Sequence, residues 1–241
     1  MVLWGTIVNV IAIIIGSISG VVLPRMSEGI RNVVMQGLGL GIVILGISMG
    51  LRGENFLFVI ISLVAGGVTG ELLKLDLKLK RLGQWLEKTV RRGNGTQDEK
   101  ASIAEGFITA TLVYCIGAMA ILGAIDSGLR QDHTILYTKS LLDGVSAILF
   151  TSTLGIGVIF SAVSVLLYQG AIALSATLLT SFLSSPDLNA IIAEVTAVGG
   201  VLIAGIGINI LEIRKINVVN LLPSVAVVAL VVFLNLRLGW F

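Results

Sequence analysis

Residues 143–157 read DGVSAILFTSTLGIG, and they lie within a run from Leu141 to Leu183 in which Asp143 is the sole charged residue. A helix crosses a hydrocarbon core of about 30 Å with about 20 residues, so this run is long enough to cross twice. Only 12% of the 241 residues are charged, 56% are hydrophobic, and the mean hydropathy is +1.02. Soluble domains carry about 25% charged residues. An ordinary water-soluble domain is thereby excluded, and the fold class expected is all-α, a polytopic transmembrane helical bundle.

Working outward from the opening stretch, eight spans are expected, at 4–23, 31–51, 55–73, 104–125, 139–158, 161–183, 189–211 and 218–236. Seven is the alternative count, because nothing charged divides the fifth from the sixth. Pro24-Arg25, Arg52 to Asn55, Ser185-Pro186-Asp187 and Arg214-Lys215 mark other breaks. The first apolar run has no basic region before it and no clear small-x-small cleavage site after it, so it is expected to stay as a membrane helix.

One section is hydrophilic. Lys74 to Lys100 holds 12 of the 30 charged residues. Within the insertion 74–103, KLDLKLKRLGQWLEKTVRR places Leu75, Leu79, Leu82, Leu86 and Val90 near one helical face, which suits an amphipathic helix on an anionic membrane surface or against a partner. RRGNGTQDEK reads as a linker, and Ser102 to Glu105 has capping-box spacing for the fourth span. Lys and Arg concentrate in cytoplasmic loops. With both termini outside, twelve basic residues fall inside and four outside, so 74–103 is expected to be cytoplasmic.

Glycine is abundant, at 29 residues. Pairs four apart, such as Gly16 with Gly20, Gly37 with Gly41, Gly46 with Gly50 and Gly66 with Gly70, permit close helix approach or a homodimer. Gly16 to Gly66 and Gly155 to Gly205 are both 50 residues apart, which points to four tandem helical hairpins.

Enzyme signatures are missing from the sequence. The lone His133 lies in a polar loop, no Walker sequence occurs, and neither an enzyme activity nor a cofactor or nucleic-acid partner is expected; no metal ligand set is identified. Cys115 reads as a small core residue. Ionisable and amide groups inside spans are the remaining candidates, since a charge at a membrane helix centre costs about 2.5–3.5 kcal/mol on the insertion scale. Asp143 and Glu194 would share a cation or proton if their spans were adjacent; the alternative is interfacial water or a pair with Lys139. Asn9, Gln36, Gln169 and Asn209 either hydrogen-bond between helices or line a substrate site. Thr151, Ser152 and Thr153 before Gly155 and Gly157 admit two arrangements: a continuous helix with back-bonded hydroxyls, or an interrupted helix near 151–157 whose freed oxygens bind a cation. Glu71 and Glu105 read as helix-end groups.

WGTIVNVIAIIIGSISG at 4–20, GLGLGIVILGISMGL at 37–51, VAGGVTGELLKLD at 64–76 and GIGINILEIRKINVVNLLP at 205–223 resemble the bacterial YqgA/YdfK membrane proteins, a family of unknown function. The resemblance covers nearly the whole chain. It implies a multi-pass protein of the bacterial inner membrane and carries over no functional residue. The functional expectation is a small secondary transporter or permease for a small solute or ion, with Na⁺ or H⁺ coupling at Asp143 and Glu194 and membrane lipid around it. A non-transporting structural or regulatory protein whose insertion binds lipid or a partner is the alternative, followed by an intramembrane enzyme.

Overall fold

The computed structural model describes residues 1–22, 28–78, 81, 97–115, 118–182 and 185–239. Its elements are α1 (Trp4–Val22), α2 (Glu28–Gly50), α3 (Phe56–Leu72), α4 (Gln97–Cys115), α5 (Ala118–Leu129), α6 (Thr134–Leu154), a 3₁₀ segment (Ile156–Phe160), α7 (Ser161–Phe182), α8 (Ser185–Ile210), α9 (Val218–Leu221) and α10 (Pro223–Leu238). The all-α, multi-span character is therefore as expected.

Local chemistry sets several helix ends. Asn55 accepts a hydrogen bond from the Leu57 N–H at the head of α3, and Pro223 occupies the first turn of α10, where its missing N–H has no helical role. Asp132 accepts from the Thr134 N–H (2.9 Å) and hydroxyl (2.7 Å) just before α6, and these bonds hold its carboxyl below the ordinary range. Gly155 ends α6 with φ 87°, in the region favouring glycine, so this residue makes the division that no charged residue marks.

Helices α1 and α3 are amphipathic in the reverse of the soluble sense. On α1, Ile11, Ile15, Ile18 and Val22 are exposed while Thr6, Asn9, Gly16, Ser17 and Gly20 are buried. On α3, Ile60, Ile61, Val64 and Val68 face outward while Ser62, Gly66 and Gly70 face inward. Such a chain turns its apolar stripe to the solvent and its small and polar groups to its neighbours, which is stable where the solvent is lipid.

Five described helices are long and apolar enough to cross a membrane: Trp4–Val22, Asn32–Gly50, Ile156–Ala176, Pro186–Ile210 and Val218–Leu238. Ile103–Cys115 with Met119–Leu129 makes a sixth if that pair, bent by 59°, is one span. Eight were expected. The shortfall has physical causes: Phe56–Leu72 is short at 17 residues, and α6 is diluted by Lys139, Asp143 and several hydroxyls. The fourth expected span, 104–125, is broken rather than continuous. It also starts earlier, since α4 begins at Gln97; Gln97 to Lys100 are helical where a linker was expected, and Ser102 lies inside the helix. Of the expected amphipathic helix, residues 75–78 and 81 are helical and most of the remainder lies outside the described residues.

Two compact units divide the chain. Unit 1 comprises Met1–Arg31, Leu77–Cys115 and Met119–Thr177. Its main contact is α1 on α6, and the two run in the same direction: Gly5 meets Leu136, Gly16 meets Gly144 and Gly20 meets Ile148. A Cβ on Gly20 would fall 2.6 Å from the Ile148 carbonyl oxygen, so only glycine permits this approach. Unit 2 comprises Asn32–Asp76, Ile116–Ala118 and Leu178–Phe241. Here α3 packs antiparallel to α9 and α10, Gly66 on Ser224 and Gly70 on Asn220, and α2 packs antiparallel to α8, Gly39 on Leu211 and Gly46 on Ala204.

These partners are far apart in sequence, so the expected tandem hairpins are not evident. Residues at the 50-residue spacing also do different work. Gly16 and Gly20 serve a parallel crossing, Gly66 and Gly70 an antiparallel one, Gly155 terminates a helix, and Gly205 lies against Ile216 and Val218.

Candidate functional site

The principal buried polar cluster of unit 1 is built from four helices. Lys139 and Asp143 of α6 form an ion pair, with both residues 6% exposed. Their spacing of four places them on one helix face, but lysine precedes the acid, the less favourable order for an isolated helix. Burial rather than helix propensity accounts for the pair. Asn9 Nδ2 of α1 donates to Asp143 Oδ2 at 3.0 Å and reaches Gln169 Oε1 of α7 at 3.4 Å. Tyr114 of α4 stands with its ring centroid 5.7 Å from Lys139 Nζ, an attractive cation–π geometry. The Tyr114 hydroxyl lies 3.3 Å from Ser146 Oγ, and its ring stacks on Phe150 with centroids 6.1 Å apart.

Asn9, Gln169 and Tyr114 are fully buried. Although Asn9 Nδ2 serves two acceptors, Asn9 Oδ1 and Gln169 Nε2 have no partner among the described residues, nor does Thr6 Oγ1 one turn earlier on α1. Buried polar atoms are normally satisfied, so these donors and acceptors beside an ion pair are the polar groups of unit 1 that packing explains least.

Asp143 therefore finds its counter-charge in Lys139, within unit 1, while Glu194 is engaged in unit 2. Glu194 Oε1 accepts the backbone N–H groups of Glu54 and Asn55, each at 2.7 Å, at the head of α3. A carboxylate there is favoured by the helix dipole and by the two charge-assisted bonds. Its Oε2 has no partner among the described residues, and a Cβ on Gly53 would come within 3.0 Å of it.

The remaining predicted residues disperse. Gln36 is exposed on α2. Asn209 closes the chain after α8, donating to the Ile216 carbonyl at 2.8 Å and accepting its N–H at 2.7 Å. Ser152 and Thr153 return their hydroxyls to the Leu149 carbonyl at 2.9 and 2.8 Å, which is the back-bonded arrangement, although the helix ends one residue later. Thr151 Oγ1 is buried without a partner among the described residues, and Gly157 allows the 3₁₀ segment to lie against the Ile103 carbonyl of α4. At the other end of α3, Glu71 accepts from Asn220 Nδ2 at 2.6 Å, consistent with a helix-end group.

Sequence reasoning passed over Tyr114, Ser146 and Thr6. Thr6 was legible from its three-residue spacing to Asn9, which puts both on one helical face. Tyr114 carried no such signal, because α4 is brought to α6 only by the fold.

The reversed amphipathicity, the apolar spans and the enclosed ion pair define the class: a multi-span helical membrane protein with a charged and amide cluster buried between its helices. The chain belongs to the family described as "Protein of unknown function (DUF554)", which it matches over residues 4–233. It is 34% identical over 236 residues to "Uncharacterized membrane protein YdfK" of Bacillus subtilis (strain 168), covering 96% of each chain. It is 27% identical over 221 residues to "Uncharacterized protein YqgA" of Escherichia coli (strain K12), covering 91% of this chain and 92% of that one. No solved structure matches it.

Proposed function

We propose that the chain is a small secondary transporter or permease of the bacterial inner membrane, moving a small solute or ion through the unit 1 cluster. The observation that carries this reading is the convergence of Lys139, Asp143, Asn9 and Gln169 inside helices with apolar outer faces, with amide atoms left unpartnered among the described residues. Ionisable groups at such depth mark transport paths in membrane proteins. Coupling to H⁺ or Na⁺ acts at Asp143, where the cation competes with Lys139 for the carboxylate. Glu194 is a separate candidate within unit 2, and Thr151 with Gly155 forms a break in the path of unit 1.

Eight crossings are proposed, with both termini outside. If α2 and α3 each cross, a re-entrant α4–α5 pair would make α6 antiparallel to α1. The parallel sense of α1 and α6 supports one crossing by that bent pair. The antiparallel senses of α2 with α8 and α3 with α10 agree with α6 and α7 each crossing once more.

The internal balance of the Lys139–Asp143 pair favours the second reading, a non-transporting protein whose cluster only fixes helix packing. Thermal unfolding of purified protein across pH, with and without Na⁺, separates the two by mass action. A Na⁺- or H⁺-linked shift lost in Asp143→Asn is expected, together with cation-dependent tracer flux into proteoliposomes. Equal shifts in native and variant protein, with no flux above protein-free vesicles, overturn the transport reading. Reporter fusions near Asn94, Asp132 and Asp187 are expected to report inside, outside and outside; any other pattern overturns the topology.

A further inference from the structure

We propose that the solute of the Asn9–Gln169 site is a small uncharged molecule bearing both a hydrogen-bond donor and an acceptor. The inference rests on the transport reading and names the chemical class of its solute.

The orientation of the two amides is determined by their neighbours. Asn9 Nδ2 is committed to Asp143 Oδ2, because turning the amide over would set Oδ1 against a carboxylate oxygen. Gln169 must then present Oε1 towards that same Nδ2, since its own NH₂ there would set donor against donor. With both amides so held, Asn9 offers a buried acceptor, Oδ1, and Gln169 a buried donor, Nε2, neither of them partnered among the described residues. Thr6 Oγ1 adds a hydroxyl, which both donates and accepts, on the same face of α1.

Charge balance selects among solutes. Lys139 and Asp143 cancel each other inside the helices, where an uncompensated charge is strongly disfavoured. A cationic solute beside the two amides adds its charge to the Lys139 ammonium and to any coupling cation at Asp143, and an anionic solute must displace Asp143 from Lys139. An uncharged molecule with an N–H or O–H and a lone pair carries the acceptor that Gln169 Nε2 lacks and the donor that Asn9 Oδ1 lacks, and it leaves the pair intact. Amides and polyols of a few heavy atoms are the simplest members of this class.

The test uses acetamide and glycerol as probes on the purified full chain, with choline chloride at equal osmolality as the charged control, and reads thermal unfolding by intrinsic tryptophan fluorescence. A saturable rise in Tm of about 2 °C or more with an uncharged probe is expected for native protein. The rise disappears in Gln169→Met, which keeps the side-chain length and removes the donor. Should that variant not fold, Gln169→Asn, which retracts the amide by one methylene, raises the half-saturating concentration at least about threefold. Two results overturn the inference: a non-saturating rise equal in native protein and variant, which is a solvent effect, or no rise at all, which leaves the amides to water. The transport reading fails separately if the shift is present yet labelled probe enters proteoliposomes no faster than protein-free vesicles.

Discussion

Asn9 of α1 and Asp143 of α6 are joined by a 3.0 Å hydrogen bond across the parallel contact that dominates unit 1, although 134 positions separate them in the chain. The bond attaches an amide to a carboxylate already paired with Lys139, so α1 is tied to an ion pair buried among apolar-faced helices. Removing one partner of such a pair strands the other charge.

Asp143→Asn is accordingly expected to destabilise the protein by about 3–5 kcal/mol, because Lys139 stays buried without its carboxylate. Replacing both, as Lys139→Met with Asp143→Leu, should recover most of that loss. A double-mutant cycle on denaturant unfolding in detergent checks this; additive losses in the double variant would mean that the pair is not coupled.

Glycines provide an internal contrast. Gly16→Val drives a side chain into the Gly144 carbonyl and should separate α1 from α6, at a cost of several kcal/mol, on the order of the largest overpacking losses. Gly37 and Gly41 have nothing within 4 Å of a built Cβ, so Gly37→Ala and Gly41→Ala should change stability by no more than about 0.5 kcal/mol or raise it. Thermal unfolding of the three variants distinguishes them, and an equal loss in all three would contradict the crossing.

Glu194→Ala removes the acceptor shared by two backbone N–H groups at the head of α3. A loss of about 1–3 kcal/mol is expected, since hydrogen bonds to a charged group are worth more than neutral ones. Hydrogen exchange should locate the change, with the amides of Glu54 and Asn55 exchanging faster while those inside α6 keep their protection.

A pH effect is expected from Asp132. Its carboxyl is held below the ordinary range mainly by the Thr134 backbone N–H and then by the Thr134 hydroxyl. A depressed folded-state value means the stabilisation is present above the unfolded carboxyl range and is lost as pH falls through the folded value. Acidification should therefore weaken the start of α6 in native protein. Asp132→Asn, which keeps an accepting oxygen but does not titrate, should remove this contribution; unchanged acid sensitivity of the Thr134 amide exchange in the variant would count against it.

Composition and periodicity made the membrane as solvent legible without coordinates. The long run around DGVSAILFTSTLGIG has no water-soluble reading, because burying it would need more covering surface than so few polar residues supply. The sequence also marked Asn9, Gln169, Asp143 and Glu194 as polar groups needing an explanation, since each sits among apolar neighbours. Which of these meet was not legible. Helical period tells which face of one helix a residue occupies, and says nothing of which other helix covers that face.

Tertiary structure made the assignments that period alone leaves open. Gly144 and Ile148 carbonyls admit only glycine from α1, and that approach brings Asn9 to Asp143. Lys139 pairs with Asp143 inside the protein rather than at its surface because α1, α4 and α7 enclose it, and Tyr114 joins it by the placement of α4. Glu194, equal to Asp143 in the sequence, becomes a cap on α3 because the chain before Phe56 is laid over α8. Sequence by itself determined the solvent and the polar inventory through transfer energies, which depend on residue type; the packing of distant helices decided the partners, because close contact depends on shape.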